Sequence, residues 1–432
     1  MDAALIGSLQ NELDEFLGEY DDCFGRPEPR EHLRTYVKGQ LGDLPRKSVE
    51  PIALEAGVAP RTLQEFLSTA RWDQQLMRQR LQQQVAQQHS HPHAIAAIDE
   101  TSHAKKGDMT PGVKPQWCGS RGKKDNCVVT VHLSYATPTG FRALLDGELF
   151  LPEDWSADRR RCAEAKIPGE MVHRPKWQIA LELRDRAVAN GLPLPWLTFD
   201  EHYGMVNDFL FGLDDRGQFY VGEVSRNCHG WCKRPAPLHK RHHEQTRGVR
   251  YLKEKNPPVS SVVNLARHSP AFSRQSWKAW HVKDSDKGPV VWEAKMAPFY
   301  LRREGRPTYP HWLIAARNRR TGETKYFVAN APPGTPPEVL LYVAFGRYPI
   351  ERCFEDQKTE LGLDHFEVRN YCSMVRHLLI TSITSFFLAR VQQRLKKSPV
   401  VDGLPGEDRR RCDDPRLGDD PRPSRSLFQT GL

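Results

Sequence analysis

Apolar residues recur at helical spacing through the first ninety residues, and that spacing predicts helices without strands. In "SVEPIALEAGVAPRTLQEFLSTARWD", Ile52, Ala53, Val58, Leu63, Phe66 and Leu67 fall where a helix-turn-helix buries its core. Gly57 falls at the turn and Thr62 early in the second helix. The segment is a candidate DNA-binding unit, with an ordinary helical pair as the plain alternative.

Beyond the linker "QQQVAQQHSHPHA" the period changes. "AIAAIDE" (94–100), "CVVTVHLSYA" (127–136) and "FRALLDGELFL" (142–151) read as strands, and "RPKWQIALELRDRAVANG" (174–191) as a helix. "LPWLTFD" (194–200) is a further buried strand, followed by a short helix at "MVNDFLFGL" and a strand at "QFYVGEVS". This order predicts an α/β fold, a mixed α+β sheet with helices on its faces. Residues 226–330 break the rhythm: a basic, loop-like start gives way to β pattern, with Trp277, Trp280, Trp292 and Trp312 inside it. They read as an insertion. The expected organisation is a helical region over 1–90, the first part of the α/β domain over 91–225, the basic, β-rich insertion over 226–330 and closing helices over 331–396. The tail, 397–432, is rich in Pro, Gly, Asp and Arg and is expected to be disordered.

One predicted helix carries an unusual stripe. In "RYPIERCFEDQKTELGLDHF" (347–366), Arg347, Glu351, Glu355 and Lys358 share a side, next to an apolar stripe of Ile350, Phe354 and Leu361. A solvated face of i,i+4 pairs is the simple explanation.

Composition narrows the class. The 432 residues allow about three domains. Hydrophobic residues at 38% and charged residues at 27% suit a globular protein, and a net charge of +9 suits a polyanionic partner. We read no apolar run as long enough to span a membrane. The acidic N-terminus lacks signal-peptide features. Nine cysteines without framework spacing suit a reduced, cytoplasmic protein. Cys228, Cys232, His239, His242 and His243 superficially suggest zinc, but at unusual spacings.

Candidate chemistry lies in three acids. Asp99 and Asp200 end two predicted central strands, an edge where α/β sheets place active groups. Glu351 on the later helix could meet them. Carboxylates without companion thiols suit hard divalent ions, Mg²⁺ or Mn²⁺, and two such ions would clamp both oxygens of a phosphodiester displacement. Glu100 and Glu201, each next to a proposed acid, should alternate away. Lys105, Lys106, Lys114, Arg121, Lys123 and Lys124 form a basic loop beside these acids, expected to hold a DNA backbone, with solvated surface as the plain alternative.

The residues "IDETSHAKKG", "TFDEHYG" and "RYPIERCFEDQK" give the chain its resemblance to bacterial insertion-sequence transposases of the DDE superfamily, closest to the IS-four-like group with a Y-R-E-K signature. Arg347, Glu351 and Lys358 match that signature; Ala344 stands at the tyrosine position, with Tyr342 and Tyr348 off register. The resemblance spans roughly residues 30–390. It implies a ribonuclease-H-like catalytic domain, metal binding and catalysis by Asp99, Asp200 and Glu351 with Mg²⁺ as the ion, and DNA-backbone contacts from Arg347 and Lys358. It also implies partners: terminal inverted repeats, target DNA and a second copy in a dimeric paired-end complex, in the bacterial cytoplasm at the nucleoid. Glu355, one turn on, is the rival third acid. An insertion tryptophan is a candidate to stack on a flipped base. Two other functions fit the pattern: an inactive, domesticated DNA-binding derivative and a stand-alone metal-dependent DNA nuclease.

Overall fold

The helical start folds into α1 (Ala3–Gly18), α2 (Pro27–Leu41), α3 (Val49–Glu55), α4 (Pro60–Ser68) and α5 (Gln74–His89). Prolines open α2 and α4, where the missing N–H costs nothing. Asp73 caps α5, accepting from the backbone N–H groups of Gln75 and Leu76 at 2.9 Å each. Gly57 takes φ +66° between α3 and α4, a conformation that side chains resist. Ile52, Ala53, Leu63, Phe66 and Leu67 are buried beneath that turn. The computed structural model describes residues 3–236, 238–243, 250–255, 258–285 and 288–397. The expected disordered tail beyond Lys397, and the side chains of His239, His242 and His243, lie outside the described residues.

A sheet follows, built from β1 (Ile95–Ala104), β2 (Lys114–Cys118), β3 (Lys123–Ala136), β4 (Arg142–Leu149) and β5 (Trp196–Thr198). Strands β4, β3 and β1 are antiparallel neighbours, and β5 joins β1 in parallel. Leu197 of β5 bridges in parallel to Tyr220, just before β6 (Val221–Val224). Three antiparallel strands followed by two parallel ones is the ribonuclease-H-like order. The crossover to β5 runs through the short helices α6 (Glu153–Ala157) and α7 (Arg159–Glu164) and then α8 (Lys176–Ala189). Helices α9 (Glu201–Gly204) and α10 (Asn207–Asp215) lead to β6.

The β-rich segment does not stand apart from this sheet. It comprises β7 (His229–Trp231), β8 (Leu238–His243), β9 (Arg250–Lys255), β10 (Ser260–Ser261), helices α11 (Val262–His268) and α12 (Pro270–Ser273), and strands β11 (Lys278–Ser285), β12 (Gly288–Arg303), β13 (Arg306–Pro307), β14 (His311–Asn318) and β15 (Thr324–Ala329). Strand β15 pairs antiparallel with β6, so the second sheet is stitched to the first through a shared strand. The two α-helices inside the segment were not legible as periodicity, because each is only one or two turns long.

Helices α13 (Pro337–Ala344), α14 (Tyr348–Leu361) and α15 (Tyr371–Lys397) close the fold. Ile350, Cys353 and Phe354 of α14 are buried against the sheet, alongside Trp155 and Leu144, and Leu361 is buried at the end of the helix. The opposite face holds α15, α8, α10 and the N-terminal helices in one continuous core. Residues 1–393 accordingly form one compact unit, so packing does not separate the first ninety residues. The second unit begins at Arg394 and is described only to Lys397. Contrary to the reading of the sequence, Tyr371–Leu395 is long and apolar enough to cross a membrane; 78% of its most apolar window is buried within the protein, which accounts for that composition.

Helix α15 ties the two ends of the chain together. The Arg376 guanidinium donates to the carbonyls of Phe66 (3.2 Å) and Leu67 (3.3 Å), filling the C-terminal end of α4. His377 Nε2 donates to Gly362 O at 3.0 Å and its Nδ1 accepts from the Tyr36 hydroxyl at 2.9 Å. Burial pushes His377 down to about 4 and His132 down to about 3. Both are therefore neutral in the fold and bind fewer protons than when unfolded. Their contribution is complete above the ordinary histidine value near 6.5 and is lost as pH falls toward 4, by about 3 kcal/mol each. Urea unfolding between pH 7 and pH 4 should show this loss, and His377→Gln should flatten the slope.

Candidate active site

Strand β1 carries Asp99 in its middle rather than at its end, because β1 runs on to Ala104 beside β3. What ends there is β5. The parallel register pairs Ile95 with Trp196, Ala96 with Leu197 and Ala97 with Thr198. Continued by two residues, it sets Asp99 abreast of Asp200, where the parent strands part. Asp200 is also the N-cap of α9, accepting from the N–H groups of His202 (3.0 Å) and Tyr203 (3.3 Å). The "YG" after it has a packing reason: a Cβ on Gly204 would sit 1.9 Å from the Glu223 carbonyl oxygen.

The third acid arrives on α14. Arg347, at the start of this helix, pairs with Glu351 at 2.6 Å and, through its other terminal nitrogen, with Asp99. Asp99 and Glu351 thus share one guanidinium, and Asp200 acts on it only through its charge. Among the described residues, no three acidic, histidine or cysteine side chains stand close enough together to hold a metal, so direct convergence of the carboxylates is not seen. Burial pushes Asp99 up to about 7, against the pull of Arg347 and with a further push from Asp200. The donor set nonetheless fits a divalent ion. It is all oxygen, and its buried acid carries a proton affinity that another cation would relieve. Glu355 pairs with Arg352 at 2.5 Å on the outer side of the same helix.

Several expected DNA cations are engaged inside the protein. Lys358 Nζ donates to Ser102 O of β1 at 3.0 Å. Lys105 donates to the carbonyls of Asp364 (2.8 Å) and Phe366 (2.5 Å) and lies 3.5 Å from the Phe366 ring centre. Burial pushes Lys105 down to about 7. A strand carbonyl draws the Lys358 ammonium inward, and two carbonyls of the loop after α14 draw that of Lys105. Lys106, Arg121, Lys123 and Lys124 are exposed, whereas Lys114 pairs with Asp154 at 3.1 Å. Ala344 is buried, and Tyr348 is exposed on the first turn of α14.

A cleft of about 780 Å³ opens beside Asp99 and Asp200, with Trp117, Phe150, Lys176, Trp177 and His202 among its lining residues. Glu100, expected to turn away, reaches this cleft and pairs with Lys176 at 2.6 Å. Glu201 borders a second cavity with Glu223, Arg226 and Lys325. Lys176 and Trp117 gave no signal in the sequence, since neither belongs to a spaced motif.

The strand order defines a ribonuclease-H-like domain, with Asp99 carried by β1 and Asp200 just past the end of the adjoining strand β5. The chain belongs to the DDE superfamily endonucleases, whose family model matches residues 19–289; that match includes Asp99 and Asp200 and stops short of Glu351. A probable transposase for insertion sequence element IS701 from Microchaete diplosiphon is 27% identical over 217 residues, which is 50% of this chain and 54% of that protein. The chain thus spans about half the length of this curated relative. A solved piggyBac transposase synaptic complex with hairpin DNA aligns at a TM-score of 0.42 and 10% identity, over 86% of this chain and 67% of the other.

Proposed function

We propose that the protein is a DNA transposase that binds the terminal inverted repeats of an insertion sequence, cuts at the element's ends and joins them to target DNA. The observation that carries this reading is the parallel register that sets Asp99 beside Asp200, with Glu351 drawn in through Arg347. Asp99, Asp200 and Glu351 would hold divalent metal, two Mg²⁺ or, in substitution, Mn²⁺. Bound there, it would supply a hydroxide-like water and stabilise charge on the phosphodiester. The chain's own groups do the positioning. Arg347 exchanges its carboxylate partners for a phosphate, and Lys106, Arg121, Lys123 and Lys124 hold the DNA backbone. Lys358 and Lys105 dock α14 and the loop after it onto β1. Helix α4 presents Arg61 and Gln64 outward, as a recognition helix would. Two copies in a paired-end complex, acting in the bacterial cytoplasm, complete the proposal.

The test is incubation with Mg²⁺ and a plasmid bearing the element's ends. Release of a linear element with free 3′-hydroxyls, and its insertion into a second plasmid, is the expected result. Chelation should stop cutting while leaving DNA binding intact. Cutting without joining would favour a stand-alone nuclease, and binding without cutting a domesticated derivative.

A further inference from the structure

The tryptophans of the β-rich segment are poor candidates for base stacking. Trp292 is buried, Trp280 and Trp312 pack around the same core, and Trp277 lies under Arg317 (4.6 Å) and Lys295 (5.0 Å). The exposed indole is elsewhere. Trp117 of β2 is 67% exposed and lines the cleft that holds Asp99 and Asp200. A single exposed ring is ordinary on a protein surface, so it is the position of Trp117 at the mouth of this cleft that singles it out.

Its surroundings say what it contacts. In the β2–β3 hairpin, Trp117 lies directly opposite Lys124, so the two side chains share a face. Lys123 and Lys124 are exposed, and neither has an acid partner among the described residues. An aromatic face interleaved with uncompensated cations is the chemistry that grips a nucleic-acid strand: the ring stacks on a base and the ammonium holds a phosphate. The cleft behind the ring, of about 780 Å³, has the volume of a small-ligand pocket and so has room for a nucleotide. A base can offer its face to the indole only when it is out of the helix stack.

We propose that the β2–β3 hairpin is a DNA clamp in which Trp117 stacks on an unpaired base next to the cut site and Lys124 holds the adjoining phosphate. The proposal rests on reading the neighbouring acids as a DNA-cutting site, but its test needs no cutting.

The full-length chain is titrated, without metal, against two fluorescein-labelled DNAs: a blunt duplex and the same duplex ending in a short unpaired strand. Anisotropy should show the wild type preferring the unpaired end by about tenfold. Trp117→Ala should lose that preference while binding the blunt duplex normally, and Trp117→Phe should keep most of it. Lys124→Ala should weaken both DNAs and lower the salt slope by about one phosphate contact. A Trp117→Ala protein that retains the wild-type preference overturns the clamp while leaving the transposase reading in place. A wild type that binds neither DNA overturns both.

Discussion

Glu351→Ala is expected to reduce DNA cleavage by at least about 10³-fold, while Glu355→Ala stays within about twofold of wild type. Both residues lie on one side of α14, one turn apart, so the sequence alone offers either. The structure separates them by their partners. Glu351 shares the Arg347 guanidinium with Asp99, which places it at the acid pair. Glu355 is 60% exposed and pairs with Arg352, away from the sheet. Asp99→Ala and Asp200→Ala should match Glu351→Ala, and all three proteins should still bind DNA. A nicking assay with Mg²⁺ on the four variants decides the matter. An inactive Glu355→Ala beside an active Glu351→Ala would move the site one turn along the helix; four active variants would remove these acids from the chemistry.

The largest effect on stability is expected from Asp146→Ala, about 3–5 kcal/mol. Asp146 on β4 is 1% exposed at its side chain and pairs with Arg78 of α5 at 2.8 Å and Arg186 of α8 at 2.6 Å. Glu148 already serves Arg186 and Arg174, so it offers Arg186 partial relief. Arg78, only 7% exposed, would be left as a buried cation without a carboxylate. Urea unfolding should show the drop. Adding Arg78→Met to Asp146→Leu should recover much of it, since apolar replacements of a buried pair are often tolerated. A loss below about 1 kcal/mol would mean that water reaches the site and solvates the arginine.

Much of this architecture was legible because it rests on periodicity. The apolar runs that became β1, β3, β4 and β5, and the stripe that seats α14, follow from which side chains must leave water. Asp99 and Asp200 stood out in the sequence as acids after apolar runs, yet β1 continues past Asp99 to Ala104, because its pairing with β3 carries the strand on. Arg347 was legible as a cation near Glu351 but not as the link between Glu351 and Asp99, because that contact joins residues 248 positions apart. The inward turn of Lys105 and Lys358 was hidden for the same reason: a lysine's side is decided by carbonyls that only the folded chain supplies. The β2 strand, with Trp117, fell in a stretch of Gly, Lys and Pro where turn residues mask a short hairpin.

The grip of Arg376 on the carbonyl of Phe66 spans 310 residues of chain. Ribosomes add about 5–20 residues per second, so α4 waits about 15–60 s for the helix that covers it. During that interval the N-terminal helices present an open apolar side, and nascent chains stalled before residue 371 should be found bound to chaperones. Messages broken within the gene would then yield products that are cleared rather than stable N-terminal fragments that accumulate beside the intact protein.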